Sequence, residues 1–207
     1  MKVKLATDIF DNWAINGKDK GMEEGHSLSV DRMIEIAYKK LSNKKGSISL
    51  ADIGCGNGWM LRKILSSSNR FKGIGIDGAT NMIENAKKID PNGNYLCTNL
   101  EPWESSEKFD LIMSMEVIYY LKNPQKFIKS LFEQSLNKGG AIIVGMDHYK
   151  ENIKSLSWPI DLNVHMNTMS IDEWVELFIA AGFSNIKYEQ FNASDNWAGT
   201  LIISGSY

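Results

Sequence analysis

The stretch Leu50-Ala51-Asp52-Ile53-Gly54-Cys55-Gly56-Asn57-Gly58 constrains this chain more than any other. A short apolar run carries an acid, glycines then fall at alternate positions, and a helix-like segment follows. That order makes a strand feed a tight turn whose backbone a nucleotide-like ligand can approach, because glycine tolerates positive φ and has no Cβ in the way. A second acid, Asp77, closes the next apolar run, 71–76. An acid at the tip of a second parallel strand can accept both hydroxyls of a ribose.

The interval between the glycines separates two readings. Dinucleotide-binding turns use G-x-G-x-x-G, whereas here Asp52 is followed by Gly54-x-Gly56-x-Gly58. That spacing resembles motif I of the class I S-adenosylmethionine (SAM) methyltransferases, an acid followed by G-x-G-x-G. An oxidoreductase ranks well behind, because the interval is wrong for NAD.

From residue 48 onward, short apolar runs alternate with helical patterns, which predicts a parallel α/β sheet. Strands are expected over 48–53, 72–77, 94–98, 109–114 and 141–146, with helices over 57–66 and 80–88. The run 109–114 is nearly all apolar, as suits a central strand buried on both faces. Asn123 and Pro124 open a helix carrying Phe127, Ile128, Leu131, Phe132 and Leu136, and Gly139-Gly140 is expected to stop it. Ser170 and Glu173 form a capping box for the last helix, which Gly182 ends. Two closing strands, 185–191 and 200–204, have no helix between them and should form an antiparallel hairpin. The expected fold is the Rossmann-like class I methyltransferase fold, a seven-stranded, mostly parallel sheet with helices on both faces. Residues 48–207 would form the SAM-binding domain. Residues 1–47 would be a helical cover with Val30, Met33, Ala37 and Leu41 on one stripe, and 147–169 an irregular substrate-side insertion.

Composition narrows the function classes. The 207 residues suit one domain, and 43% apolar content supports a sizeable core. With 23 basic against 25 acidic residues, the chain lacks a strong nucleic-acid surface of its own, though a partner can supply one. No apolar run approaches the ~18 residues of a membrane span. The start, Met1 to Ala6 followed by Asp8 and Asp11, does not read as a secretory signal. Cys55 and Cys97 have neither metal-ligand spacing nor a disulfide framework, so no metal site is expected and the setting expected is a reducing cytoplasm.

The resemblance assigns tasks to particular residues. Gly54, Cys55, Gly56 and Gly58 would form the SAM cradle, with Asp52 ordering the loop or meeting the methionine amino group. Asp77 would meet the ribose hydroxyls, and Gly78 and Met115 would also bind the cofactor. After the third strand many family members place an acid against the adenine amino group. Here Asn99, beside Leu100, aligns with it, and Glu101 is the alternative. Ser114-Met115-Glu116-Val117-Ile118-Tyr119-Tyr120-Leu121 resembles motif IV of type 11 methyltransferases, with tyrosines where histidines are common. No two prolines are adjacent, which argues against the Asn/Asp-Pro-Pro-Tyr enzymes that methylate amide or base nitrogens.

Methyl transfer needs a base only if the nucleophile carries a proton. His148, Asp147 and Glu116 are the catalytic candidates. The run from Trp13 to His26, with Tyr149, Glu151, Asn152 and Trp158 later, resembles a group of archaeal type 11 methyltransferases. At least one member of that group pairs with a small zinc-ribbon activator protein. The resemblance implies a cover over the pocket, with Trp13, Met22, His26, Tyr119, Tyr149 and Trp158 on the substrate side. It implies a SAM-dependent methyltransferase, yielding S-adenosylhomocysteine, whose acceptor is tRNA or protein presented with a partner, or a small metabolite. The alternative is a non-catalytic SAM-binding subunit that supports another methyltransferase.

Overall fold

The computed structural model describes residues 3–101 and 103–207; Met1 and Lys2, at the start read above, and Pro102 lie outside the described residues. Seven strands form one sheet in the order β3-β2-β1-β4-β5-β7-β6. They are β1 (Ile48–Ile53), β2 (Phe71–Asp77), β3 (Tyr95–Cys97), β4 (Phe109–Met115), β5 (Leu136–Met146), β6 (Ser184–Phe191) and β7 (Thr200–Ser206). β1 to β5 run parallel, whereas β7 is antiparallel to both β5 and β6.

Period-two side-chain alternation sorts the core onto two faces. Leu50, Leu111, Met113, Ile143 and Ile202 pack one way with the helices α2 (Lys20–Lys40), α3 (Trp59–Ser67) and α4 (Thr80–Ile89). Ala51, Ile53, Ile112, Ile142, Val144 and Ile203 pack the other way with α5 (Pro124–Ser130) and α7 (Ile171–Ala181). The caps follow their chemistry. Asn123 accepts the Lys126 N–H at 2.9 Å, Ser170 and Glu173 close their reciprocal box at 3.1 and 2.7 Å, and Gly182 ends α7 at φ 108°.

Two expectations meet a different arrangement. The segment before residue 48 holds two helices, and only α1 (Ala6–Ile15), packed on α4, lies outside the sheet layers. The α2 helix is a layer of the sandwich: Val30, Met33 and Ala37 are fully buried on the sheet, beside β5 and β7. Gly139-Gly140 does not stop a helix. The chain leaves α5 through a π-turn (Leu131–Ser135), β5 begins at Leu136, and the glycines lie where the pairing slips between Phe109↔Leu136 and Leu111↔Ala141. A Cβ at Gly140 would meet the Asn137 and Asp110 carbonyls at 2.8 and 3.0 Å, so this irregular strand start needs glycine.

Residues 147–169 contain a 3-10 turn (Ile153–Ser155) and the short α6 (Trp158–Asp161). Among the described residues no helix is long and apolar enough to cross a membrane. The chain runs outward from β1 to β2 and β3, then crosses to β4 and β5. The crevice therefore opens at the carboxyl ends of β1 and β4, where open α/β sheets bind ligands.

Candidate cofactor and acceptor site

The three glycines after β1 divide between two tasks. All have positive φ, at 73°, 54° and 78° for Gly54, Gly56 and Gly58. A Cβ on Gly54 would lie 2.1 Å from Val117, and one on Gly58 would lie 2.5 Å from the Tyr95 ring, so these two serve close packing. A Cβ on Gly56 would meet nothing nearer than Met82 at 3.9 Å, because this residue faces a cavity.

That cavity has a volume of about 350 Å³. Of the residues expected to bind cofactor, Gly54, Gly56, Asp77, Gly78, Asn99, Leu100 and Met115 line it. Asp77 lies between the two turns. One carboxylate oxygen accepts the Gly56 N–H at 2.8 Å, and the other accepts the Ala79 N–H at 2.7 Å. Burial nonetheless pushes its pKa up, against the pull of those N–H groups. At the β3 end, Glu101 accepts the backbone N–H groups of Lys122 and Asn123, at 2.7 and 2.9 Å. Its oxygens thus hold the loop before α5, and the Asn99 amide lines the same end of the cavity.

Asp52 is 1% exposed, and neither of its carboxylate oxygens has a hydrogen-bond partner among the described residues. Burial foremost, then the charge of Asp77, push its pKa up to about 8, while the Leu61 N–H of α3, which falls short of hydrogen-bond geometry, pulls it down only weakly. A buried carboxylate without donors is costly unless a cation joins it. Asp52, Gly54, Cys55, Met115 and Glu116 line a smaller recess of about 20 Å³ beside the main cavity, closed from above by Met22 and His26 of α2.

The acceptor side gathers at the tips of β4 and β5. Glu116 adopts φ 61°, a conformation uncommon for a residue with a Cβ. Its carboxylate accepts the Tyr119 hydroxyl at 2.7 Å and the Asp147 backbone N–H. Burial, then the charge of Asp147, raise its pKa to about 8. Opposite, His26 Nε2 lies 3.2 Å from Asp147, while Nδ1 donates to the Met22 carbonyl at 2.8 Å. Burial works against the His26 charge, but the Asp147 hydrogen bond and the charges of Glu116 and Asp147 outweigh it and lift the pKa to about 9. His26, Glu116 and Asp147, remote in sequence, thus form one cluster.

His148 is not part of it. The ring is fully buried, with Nδ1 3.0 Å from the Ser155 carbonyl and Nε2 2.9 Å from the Thr168 hydroxyl, and stacks 6.2 Å from Trp158. Its neighbour Asp147 turns toward α2, while His148 is buried with both ring nitrogens paired, to Ser155 and Thr168. Tyr149 is likewise buried, its hydroxyl donating toward the Ala198 and Gly199 carbonyls. Trp13 packs against Phe10 with ring centres 5.4 Å apart, and it is Phe10 that lines the cavity. Tyr120 lines it where Tyr119 is sealed. The sequence reading missed Leu5, Ala6, Thr7 and Phe10 of the α1 region as cavity wall. Phe10 falls one helical turn before Trp13, which was the available signal.

Residues 30–188 match the family described as a methyltransferase domain, and the chain belongs to that family. A ubiquinone biosynthesis O-methyltransferase of Rickettsia conorii is 30% identical over 143 residues, covering 67% of this chain and 47% of that protein. A tRNA U34 carboxymethyltransferase of Alteromonas mediterranea is 31% identical over 142 residues, covering 60% of this chain and 42% of that protein. The chain spans about half the length of the curated relatives it matches. Among solved structures, a Haloferax volcanii methyltransferase in complex with the Trm112 methyltransferase activator is similar at a TM-score of 0.81 and 24% identity, covering 99% of both chains. Human N-acetylserotonin methyltransferase in complex with SAM is similar at 0.70 and 13%, covering 91% of this chain and 54% of that one. These structures share the class I methyltransferase fold.

Proposed function

We propose that this protein is a SAM-dependent methyltransferase whose acceptor approaches the tips of β4 and β5. The observation that carries the reading is Asp52, a buried acid without a hydrogen-bond partner, in a small recess beside the glycine-lined cavity that Asp77 faces. Those residues fit SAM. Asp52 suits the methionine ammonium, Gly56 offers close backbone approach, Asp77 suits the ribose hydroxyls and Asn99 the adenine edge. When bound, SAM supplies a methyl group already activated on a sulfonium, so placement of the acceptor supplies much of the remaining rate. Glu116 and Asp147 line or back the acceptor side, and they, not His148, are the groups positioned to orient a proton-bearing nucleophile.

The acceptor reading is macromolecular, with a small zinc-ribbon activator as partner. Its support is the likeness over the whole of both chains to a methyltransferase solved with Trm112. The experiment is transfer of labelled methyl from SAM into separated RNA, protein and small-molecule fractions of a cell extract, with and without such an activator. Label in RNA or protein that depends on the activator is the expected outcome. Label in the metabolite fraction without activator would overturn the acceptor reading, and SAM binding with no transfer into any fraction would favour the non-catalytic subunit.

A further inference from the structure

We propose that His26, Glu116 and Asp147 form a binding site for one first-row divalent metal ion, seated between α2 and the tips of β4 and β5 beside the cofactor cavity. One imidazole nitrogen and oxygens of the two carboxylates all lie within 4.8 Å of one another. One pair, His26 Nε2 and Asp147 Oδ2, is 3.2 Å apart. Ligand atoms about 2.1 Å from a tetrahedral metal are separated by about 3.4 Å, so this pair already stands near ligand spacing.

Three independent features point the cluster at a cation. Asp147 is 6% exposed, and its second oxygen, Oδ1, is buried without a hydrogen-bond partner, which leaves acceptor capacity with nothing to receive. The His26 ring is held in a ligating pose, because Nδ1 donates to the Met22 carbonyl and Nε2 faces the carboxylates; a metal-bound histidine is oriented by just this kind of outer hydrogen bond. Glu116 is held the same way by Tyr119 and the Asp147 N–H, on a strained backbone of the kind that accumulates at functional sites. A bound metal would displace the protons of His26 and Glu116; two carboxylates and a neutral imidazole then carry two negative charges, which matches a divalent ion. Mixed imidazole and carboxylate donors favour zinc, manganese or cobalt over magnesium. Glu116 also lines the main cavity, so the open coordination positions would face an acceptor oxygen.

This inference goes beyond the methyltransferase reading and is tested apart from it. Untagged protein, stripped with EDTA, is titrated calorimetrically with zinc, and with cobalt(II) followed by its visible absorption. His26→Gln and Asp147→Asn are run in parallel, and SAM titrations of every sample report the cradle. The expected result is one equivalent of metal on the wild type and at least ~100-fold weaker binding in both variants, as loss of a ligand should exceed the loss of an outer-shell partner. X-ray absorption of the wild-type cobalt protein should show one imidazole among oxygen ligands, which keeps the test decisive if a variant fails to fold. Absence of saturable binding to the wild type, or unchanged affinity in both variants, would overturn the metal site while leaving SAM binding to stand or fall separately.

Discussion

Asp52 and Asp77 are adjacent acids with opposite provisions, since Asp77 has two backbone donors and Asp52 has none. Replacing Asp77 by alanine removes both a ribose acceptor and the bridge between Gly56 and Ala79. SAM affinity should fall at least ~10-fold in calorimetry, a charge-assisted hydrogen bond being lost; unchanged affinity would remove Asp77 from the site. For Asp52 the pKa is raised from 3.8 to about 8, so the folded state holds a proton that the unfolded chain releases. Stability is therefore lost as pH rises from about 4 through about 8, by at most ~1.4 kcal/mol per pH unit, and levels off above that. Asp52→Asn should melt at a higher temperature than the wild type by a margin that grows over that window, yet bind SAM more weakly. Parallel melting curves against pH would contradict this. Both acids were legible in the sequence because they sit at strand tips in the glycine pattern. The choice between Asp147 and His148 was not: adjacent residues leave a strand on opposite sides, and one-letter order does not say which side is the cavity. His148→Gln should accordingly cost about 1–3 kcal/mol of stability, through buried partners left unpaired, while methyl transfer at saturating substrate survives. Loss of transfer in folded protein would return His148 to the chemistry.

Elements were read well where apolar periodicity was clean. The β1 and β4 runs, the box at Ser170 and Glu173 and the closing hairpin all follow from local pattern and caps. The α2 helix was harder. The stripe of Val30, Met33 and Ala37 was legible, but Gly21, Gly25 and several charges in the first half disguise that one helix runs from Lys20 to Lys40 and packs on the sheet. The helix has two tasks along its length, covering the recess with Met22 and His26 and filling the sandwich with Met33. Met33→Ala should therefore destabilise the whole fold by roughly 2–5 kcal/mol, as a buried large-to-small change does. Chemical denaturation measures this, and a near-neutral result would mean that α2 is an appended cover. The turn after β1 offers a matched pair. Gly54→Ala drives a Cβ into Val117 and should damage folding, whereas Gly56→Ala meets no clash, costs only the roughly 1–2 kcal/mol of a side chain at positive φ, and should keep the fold while losing SAM. Melting temperature and SAM titration on both variants separate packing from binding.

At the scale of the molecule, the topology accounts for how distant residues come to one place. Crossing from β3 back to β4 opens the crevice at the β1–β4 tips, and the N-terminal helices then close over it, bringing His26 to Asp147 and Phe10 to Tyr120. The ring centres of that last pair lie 5.4 Å apart, which ties α1 to the acceptor side of the cavity. No spacing in the sequence announces such contacts, because they join segments from opposite parts of the chain; the glycine turn announces itself because its chemistry is local. The central claim is that this cavity is a SAM cradle, and calorimetric titration of SAM into the purified protein tests it most directly. The account predicts saturable binding of one SAM per chain, lost in Gly56→Ala and weakened in Asp77→Ala, with NAD giving no heat. Absence of SAM binding by the folded wild type, or equal binding by all three proteins, would contradict it.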